Sequence, residues 1–180
     1  MIDFKVLYRI KKNAIKSIKS DSDGQIIDDW RSKVLFILIY YILPVVMAVF
    51  PWIFCVTLSS FSSYITTGVS IFTGLFFSLL LNISAKIRIE KQNENVDIAN
   101  FQAFKENMRQ ISDITLYIII LGISAILVIL LNSVLKFELI EIELCFTSIV
   151  IFILMRYFIC LLLMLQRFFF VLRDEIKNIL

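Results

Sequence analysis

The stretch ITLYIIILGISAILVILLNSVL, residues 114–135, carries no charged side chain. A helix needs about 20 consecutive apolar residues to cross the hydrocarbon core of a bilayer, and this stretch is long enough. Outward from it lie three further apolar runs of similar length, at residues 34–58, 61–85 and 144–172. Because a chain of 180 residues has too little interior to cover four such runs, we predict that lipid covers them.

The composition agrees with this interpretation. The chain is 59% hydrophobic, with a mean hydropathy of +0.88, which is above the range of ordinary soluble domains. It contains only 4 Gly and 2 Pro. Pro44 and Pro51 both fall in the first run, where each removes a backbone donor and is expected to kink the helix. The predicted fold class is all-α: a polytopic membrane protein with four transmembrane helices and cytoplasmic helical extensions.

The distribution of positive charge predicts the orientation. Thirteen Lys and Arg side chains precede the first run or separate the second from the third, whereas Lys136 alone lies on the opposite side. Since Lys and Arg near membrane ends are retained in the cytoplasm, both termini are predicted to be cytoplasmic. The predicted segments are a basic amphipathic helix (1–33), four transmembrane helices (34–58, 61–85, 114–135 and 144–172), a cytoplasmic helical stalk (86–113), an outer acidic turn (136–143) and a cytoplasmic tail (173–180).

Two of the predicted cytoplasmic segments carry apolar residues at helical spacing. Residues 1–20 interleave basic side chains with apolar ones, including Leu7 and Ile10, which indicates an amphipathic helix on the membrane surface. The stalk repeats apolar residues every three or four positions, including Phe101, Phe104 and Met108. Apolar stripes of this kind are expected to be buried against another surface. We therefore predict that these five residues bind a partner.

The sequence lacks residue types and spacings that are common in catalytic and metal sites. It contains no histidine, and its three cysteines (Cys55, Cys145 and Cys160) have no CxxC spacing. Zinc sites, haem attachment and histidine-based acid–base chemistry therefore have no residues to use, and we expect a protein that is not an enzyme and holds no cofactor or metal. Cys55 and Cys145 both fall near the predicted outer interface, where a disulfide would need an oxidising compartment.

Small and polar residues recur every four positions along the second run: Ser62, Thr66, Ser70, Gly74, Ser78 and Asn82. Small side chains let helix backbones approach each other where lipid removes the hydrophobic drive for association. One interpretation is packing inside the bundle of a single chain. The other is a face for self-association or for lining a pore, centred on Ser70, Gly74 and Ser78.

Arg156 lies near the middle of the fourth run, where inserting a charge costs about 2.5–3.5 kcal/mol on translocon scales. No acidic residue stands at a matching depth in any of the four runs. The sequence leaves several environments open for this side chain: an aqueous vestibule, a subunit interface with carbonyls and hydroxyls such as that of Ser70, a lipid phosphate, or the interface reached by snorkelling.

A compact chain with four spans, a basic amphipathic N-terminus and a cytoplasmic helical stalk resembles the small membrane components of bacterial anti-phage systems, in particular the KwaA-like membrane subunits of the Kiwa system. The resemblance lies in architecture over the whole chain and in no diagnostic motif. It implies a homo-oligomer of the bacterial inner membrane that senses membrane perturbation and positions a cytosolic protein effector. The expected partners are further copies of the chain, that effector and the lipid bilayer, including anionic lipid, without direct nucleic-acid binding.

Two functions follow as hypotheses. The first is a membrane scaffold or sensor that docks an effector through the two amphipathic segments. The second is an oligomeric channel or pore-forming effector that depolarises the membrane, with Ser70, Ser78 and Arg156 near the pathway. A carrier for a small anion is weaker, because a single bundle of four spans leaves little room for alternating access.

Overall fold

A computed structural model describes residues 4–19, 30–92, 98–135 and 140–179, and every element within these ranges is helical. The helices are α1 (Phe4–Lys19), α2 (Trp30–Ile37), α3 (Leu43–Phe54), α4 (Ser62–Gln92), α5 (Ile98–Leu135) and α6 (Ile140–Ile179). A π-helical segment, Leu38–Ile42, joins α2 to α3, and a 3-10 turn, Leu58–Ser60, precedes α4. The predicted all-helical fold is thereby confirmed for the described part of the chain.

Four helical stretches are long and apolar enough to cross a membrane: Val34–Phe54, Ser62–Ile83, Lys105–Leu135 and Ile140–Phe169. The prediction of four helices of spanning length is therefore confirmed. The spans in α5 and α6 begin earlier than predicted, at Lys105 and Ile140, because both helices continue without interruption through polar residues. Of the predicted outer acidic turn, residues 140–143 belong to α6, and residues 136–139 lie outside the described residues.

The prolines explain how the first span is built. Pro44 lacks an N–H, and in a regular α-helix its ring would collide with the carbonyl of Tyr40, four residues earlier. The π-helical segment widens the helix at that point, and the N–H of Leu43 donates to the carbonyl of Leu38, five residues back. Pro44 then occupies the first turn of α3, where a missing N–H is tolerated.

The first span ends before its predicted limit of residue 58. Cys55 adopts a left-handed conformation with φ 49° and ψ 38°, and its N–H donates to the carbonyl of Pro51. A left-handed residue closes the end of a helix, so α3 stops at Phe54 although the apolar sequence continues. The short hairpin to α4 is then tied to α6: the backbone N–H of Ser59 donates to Glu143 Oε1 (3.4 Å).

The chain divides into two compact units. Unit 1 comprises residues 1–28, 76–117 and 160–180, and unit 2 comprises residues 29–75 and 118–159. Helices α4, α5 and α6 each contribute residues to both units. In unit 2 a core of Leu58, Ile129 and Val150 is surrounded by half-buried hydrophobic side chains: Phe61, Ile65, Val128 and Leu154.

The buried side chains of unit 1 come from all of its helices: Ala14 and Ile18 of α1, Phe76 and Ile83 of α4, Met108, Ile111, Ile114 and Tyr117 of α5, and Cys160 and Met164 of α6. Since Ala14 and Ile18 are covered by the protein itself, the apolar face of α1 does not lie in lipid at these two positions. The sequence had suggested a helix with its apolar face on the membrane surface.

Candidate functional site

The guanidinium of Arg156 lies among aromatic rings in unit 2. Its central carbon is 4.5 Å from the ring centre of Tyr40, 5.7 Å from that of Phe152 and 5.8 Å from that of Tyr41. All three distances fall within the range in which a cation is attracted to the face of an aromatic ring. We call Arg156, Tyr40, Tyr41 and Phe152 the aromatic clasp.

Local structure explains how these residues meet. Phe152 and Arg156 are four residues apart on α6 and so share a face of that helix. Tyr40 and Tyr41 both belong to the π-helical segment, in which each residue turns through a smaller angle than in an α-helix, so that two consecutive rings reach the same cation. Tyr40 is almost fully buried, and its ring stacks on Phe36 at 5.1 Å between centres.

The known strength of cation–ring contacts shows how aromatic rings can help to hold a cation at this position. A cation–ring contact contributes from about 0.5 kcal/mol at exposed sites to about 2 kcal/mol when desolvated. Three rings can therefore offset most of the roughly 2.5–3.5 kcal/mol that an arginine costs at the centre of a span. An aromatic environment was not among those that the sequence left open for Arg156.

A second feature of unit 2 is the close approach of three helices at Gly122 of α5. A Cβ atom placed on Gly122 would lie 2.6 Å from Thr73 Oγ1, 3.2 Å from Val69 Cγ1 and 3.4 Å from Tyr157 Cε2. Thr73 and Val69 belong to α4 and Tyr157 to α6, so any side chain larger than hydrogen would separate these helices. The sequence analysis did not single out Gly122.

The face of small and polar residues on α4 turns outward along its length. Ser62 and Thr66 are half-buried, and Thr66 donates to the carbonyl of Ser62 (2.8 Å). Ser70, Gly74 and Ser78 are exposed. The reason is geometric: a step of four residues overshoots a full helical turn by about 40°, so a row that starts against the bundle ends away from it.

The exposure of this face bears on one of the two interpretations, packing inside the bundle of a single chain. Among the described residues, no atom of another helix lies within 4 Å of a Cβ placed on Gly74. Packing inside the bundle therefore does not account for Ser70, Gly74 and Ser78, which was one of the two interpretations of the sequence.

The residues predicted to bind a partner lie in unit 1. Met108 is only 3% exposed, so its side chain belongs to the interior of the protein; for Met108 the prediction of a partner-binding surface is corrected. The apolar stripe of the stalk packs intramolecularly at this point. Ile10 is half-buried on α1. Phe101 and Phe104 lie on α5 and Leu7 on α1, but their side chains are outside the described residues.

A polar chain of contacts links α5 to α6 in unit 1. Arg167 donates to Gln110 Oε1, and Gln110 Nε2 donates to Glu106 Oε1 (3.5 Å). Gln110 is nearly fully buried, and hydrogen bonds to charged groups contribute about 1.5–3 kcal/mol each. By contrast, the ion pair of Arg109 with Glu106 (2.7 Å) is exposed and contributes no more than about 1 kcal/mol. Gln110 thus links the two helices.

The cysteines Cys55, Cys145 and Cys160 are free thiols, the first two exposed and the third buried. Among the described residues, no group of three or more His, Cys, Asp or Glu side chains could hold a metal ion. No protein-family model, curated protein or solved structure matches the chain.

Proposed function

We propose that this protein is a non-enzymatic, homo-oligomeric subunit of the bacterial inner membrane that senses the state of the bilayer and docks a cytosolic effector, as in anti-phage defence. The observation that carries the proposal is the length of three helices. α4, α5 and α6 continue beyond their apolar spans through residues 84–92, 98–104 and 170–179. With the predicted topology, all three extensions project to the cytoplasmic side and form a platform there.

The first span supports the sensing part of the proposal. Most of its apolar side chains are exposed in the single chain, and only Tyr40, Pro44 and Pro51 along it are buried. In a membrane the exposed side chains contact lipid, while the aromatic clasp holds the span to α6. A span with a large lipid contact responds to changes in the bilayer more readily than a span inside the bundle.

The docking part depends on Phe101 and Phe104, which lie on the extension of α5 before its apolar span. Aromatic residues carry much of the binding energy of protein interfaces. Leu7 and Ile10 of α1 belong to the same unit and remain in the proposed surface, whereas Met108 leaves it.

Affinity purification from the native host in mild detergent tests the docking surface. We expect a stoichiometric soluble protein to co-purify with the wild-type oligomer. The double substitution Phe101→Glu and Phe104→Glu should reduce the amount of that protein recovered by about tenfold or more. The control is Lys105→Glu, which adds a negative charge on the same helix at an exposed position without removing an aromatic ring. Equal recovery of the soluble protein with both variants, at equal membrane insertion, would exclude this docking surface.

A second candidate, the oligomeric channel, is favoured by the exposed face of Ser70, Gly74 and Ser78. Gly74→Leu is expected to weaken self-association about tenfold or more, because a bulky side chain prevents close approach of two helices. Gly68→Leu is the matched control, since Gly68 also has free space but lies on another side of α4. Native mass spectrometry measures the oligomer, and ion leakage from reconstituted liposomes measures conduction. Liposomes that contain the intact oligomer and do not leak ions would exclude the channel function.

A further inference from the structure

Helix α1 carries a stripe of positive charge. Lys5, Arg9, Lys12 and Lys16 follow one another at intervals of four, three and four residues and therefore share one face of the helix. All four side chains are exposed. The sixteen residues of α1 include no Asp or Glu, so every charged side chain of this helix is basic.

Part of the opposite, apolar face of α1 is covered by the protein. Ala14 is fully buried and Ile18 is 8% exposed. A typical interfacial amphipathic helix inserts its apolar face among acyl chains and keeps its charges in water. α1 differs from this arrangement: its apolar face is covered by the protein at Ala14 and Ile18, and its basic face is exposed.

From this arrangement we propose that the basic stripe of α1 binds the headgroups of anionic phospholipids from outside the acyl region. Charge complementarity identifies the headgroups, because anionic lipids attract clustered Lys and Arg near the membrane surface. The chain itself keeps α1 near such a surface: fully extended, the segment from Lys19 to Val34 spans no more than about 50 Å. Tyr8, exposed beside the stripe, is a residue type that favours the headgroup level. This inference does not depend on effector docking.

Reconstitution into discs of phosphatidylcholine and phosphatidylglycerol tests the proposal. After gentle release, native mass spectrometry gives the phosphatidylglycerol content of the retained lipid relative to the bulk. The wild-type protein should enrich phosphatidylglycerol at least about fivefold, the gain expected from one surface cation, and added salt should reduce the enrichment. Joint replacement of Lys5, Arg9, Lys12 and Lys16 with Gln should abolish it, whereas Lys5→Arg, Lys12→Arg and Lys16→Arg together should preserve it.

A measurement on the unmodified protein supplements these variants. Phosphatidylglycerol should slow the acylation of Lys5, Lys12 and Lys16 more than that of Lys11, which lies off the stripe, as read peptide by peptide. Undiminished enrichment in the Gln variant, or equal protection of all four lysines, would overturn the proposal. So would retention of a DNA duplex by wild-type protein in phosphatidylcholine discs that phosphatidylglycerol vesicles fail to displace, because the stripe would then bind nucleic acid.

Discussion

Replacing Gly122 with alanine is expected to lower the free energy of unfolding by about 1–3 kcal/mol, the usual cost of adding volume to a packed interior. The new methyl group would lie 2.6 Å from Thr73 Oγ1 and 3.2 Å from Val69 Cγ1. Both neighbours are β-branched, and their side-chain rotation is restricted within a helix. Circular dichroism during SDS titration in bicelles measures the change.

Gly68→Ala is the matched control for Gly122→Ala. No atom lies within 4 Å of a Cβ placed on Gly68, and alanine is favoured over glycine inside a helix by about 0.5–1 kcal/mol. The control should therefore leave the unfolding midpoint unchanged or raise it. Adding Thr73→Ala to Gly122→Ala removes the closest contact and should recover part of the loss. Equal midpoints for the two glycine variants would contradict the close approach of α4, α5 and α6.

Replacing Tyr40 with leucine should lower the free energy of unfolding by about 2 kcal/mol, because the ring nearest to Arg156 is lost while most of the apolar volume remains. Tyr40→Phe keeps the ring face and should therefore lose less stability than Tyr40→Leu. Tyr41→Leu should have a smaller effect than Tyr40→Leu, since Tyr41 is exposed and its ring centre lies 5.8 Å from the guanidinium carbon.

A double-mutant cycle separates the cation–ring contact from general packing. In the background of Arg156→Met the cation is absent, so Tyr40→Leu should cost about 1–2 kcal/mol less than in the wild-type protein. Methionine keeps the length and flexibility of the side chain without its charge. Purely additive losses in the four-member cycle would show that the aromatic clasp contributes no coupling between the first and fourth spans.

These two sites also bear on the proposed function. The contacts of Gly122 hold α4, α5 and α6 together within unit 2, and the aromatic clasp attaches the first span, which is largely exposed. If the first span responds to the bilayer, Tyr40→Leu should alter that response while leaving the close approach at Gly122 intact. The two variants therefore distinguish a sensing span from a loosened bundle.

The sequence by itself determined the number and approximate position of the four helices of membrane-spanning length, because a long apolar run in lipid has one low-energy form, the helix that satisfies its own backbone donors and acceptors. Runs such as residues 114–135 needed no knowledge of neighbours. Local spacing also predicted the amphipathic character of α1 and the small-residue face of α4. The sequence placed helix ends less accurately. At Cys55 the apolar sequence continues beyond the end of the helix, whereas α5 and α6 continue beyond the apolar sequence.

Only the tertiary structure decided which side chains meet. The contacts of Arg156 with Tyr40 and Tyr41 join residues more than a hundred positions apart in sequence, and they depend on a π-helical segment next to Pro44. The burial of Met108 and the exposure of Gly74 depend on which side of each helix faces its neighbours, and Gly122 is distinguished only by the atoms of two other helices. Helix formation in lipid is local, since each backbone bond closes within a few residues. The packing of helices against one another is a property of facing surfaces, which periodicity along one helix does not specify.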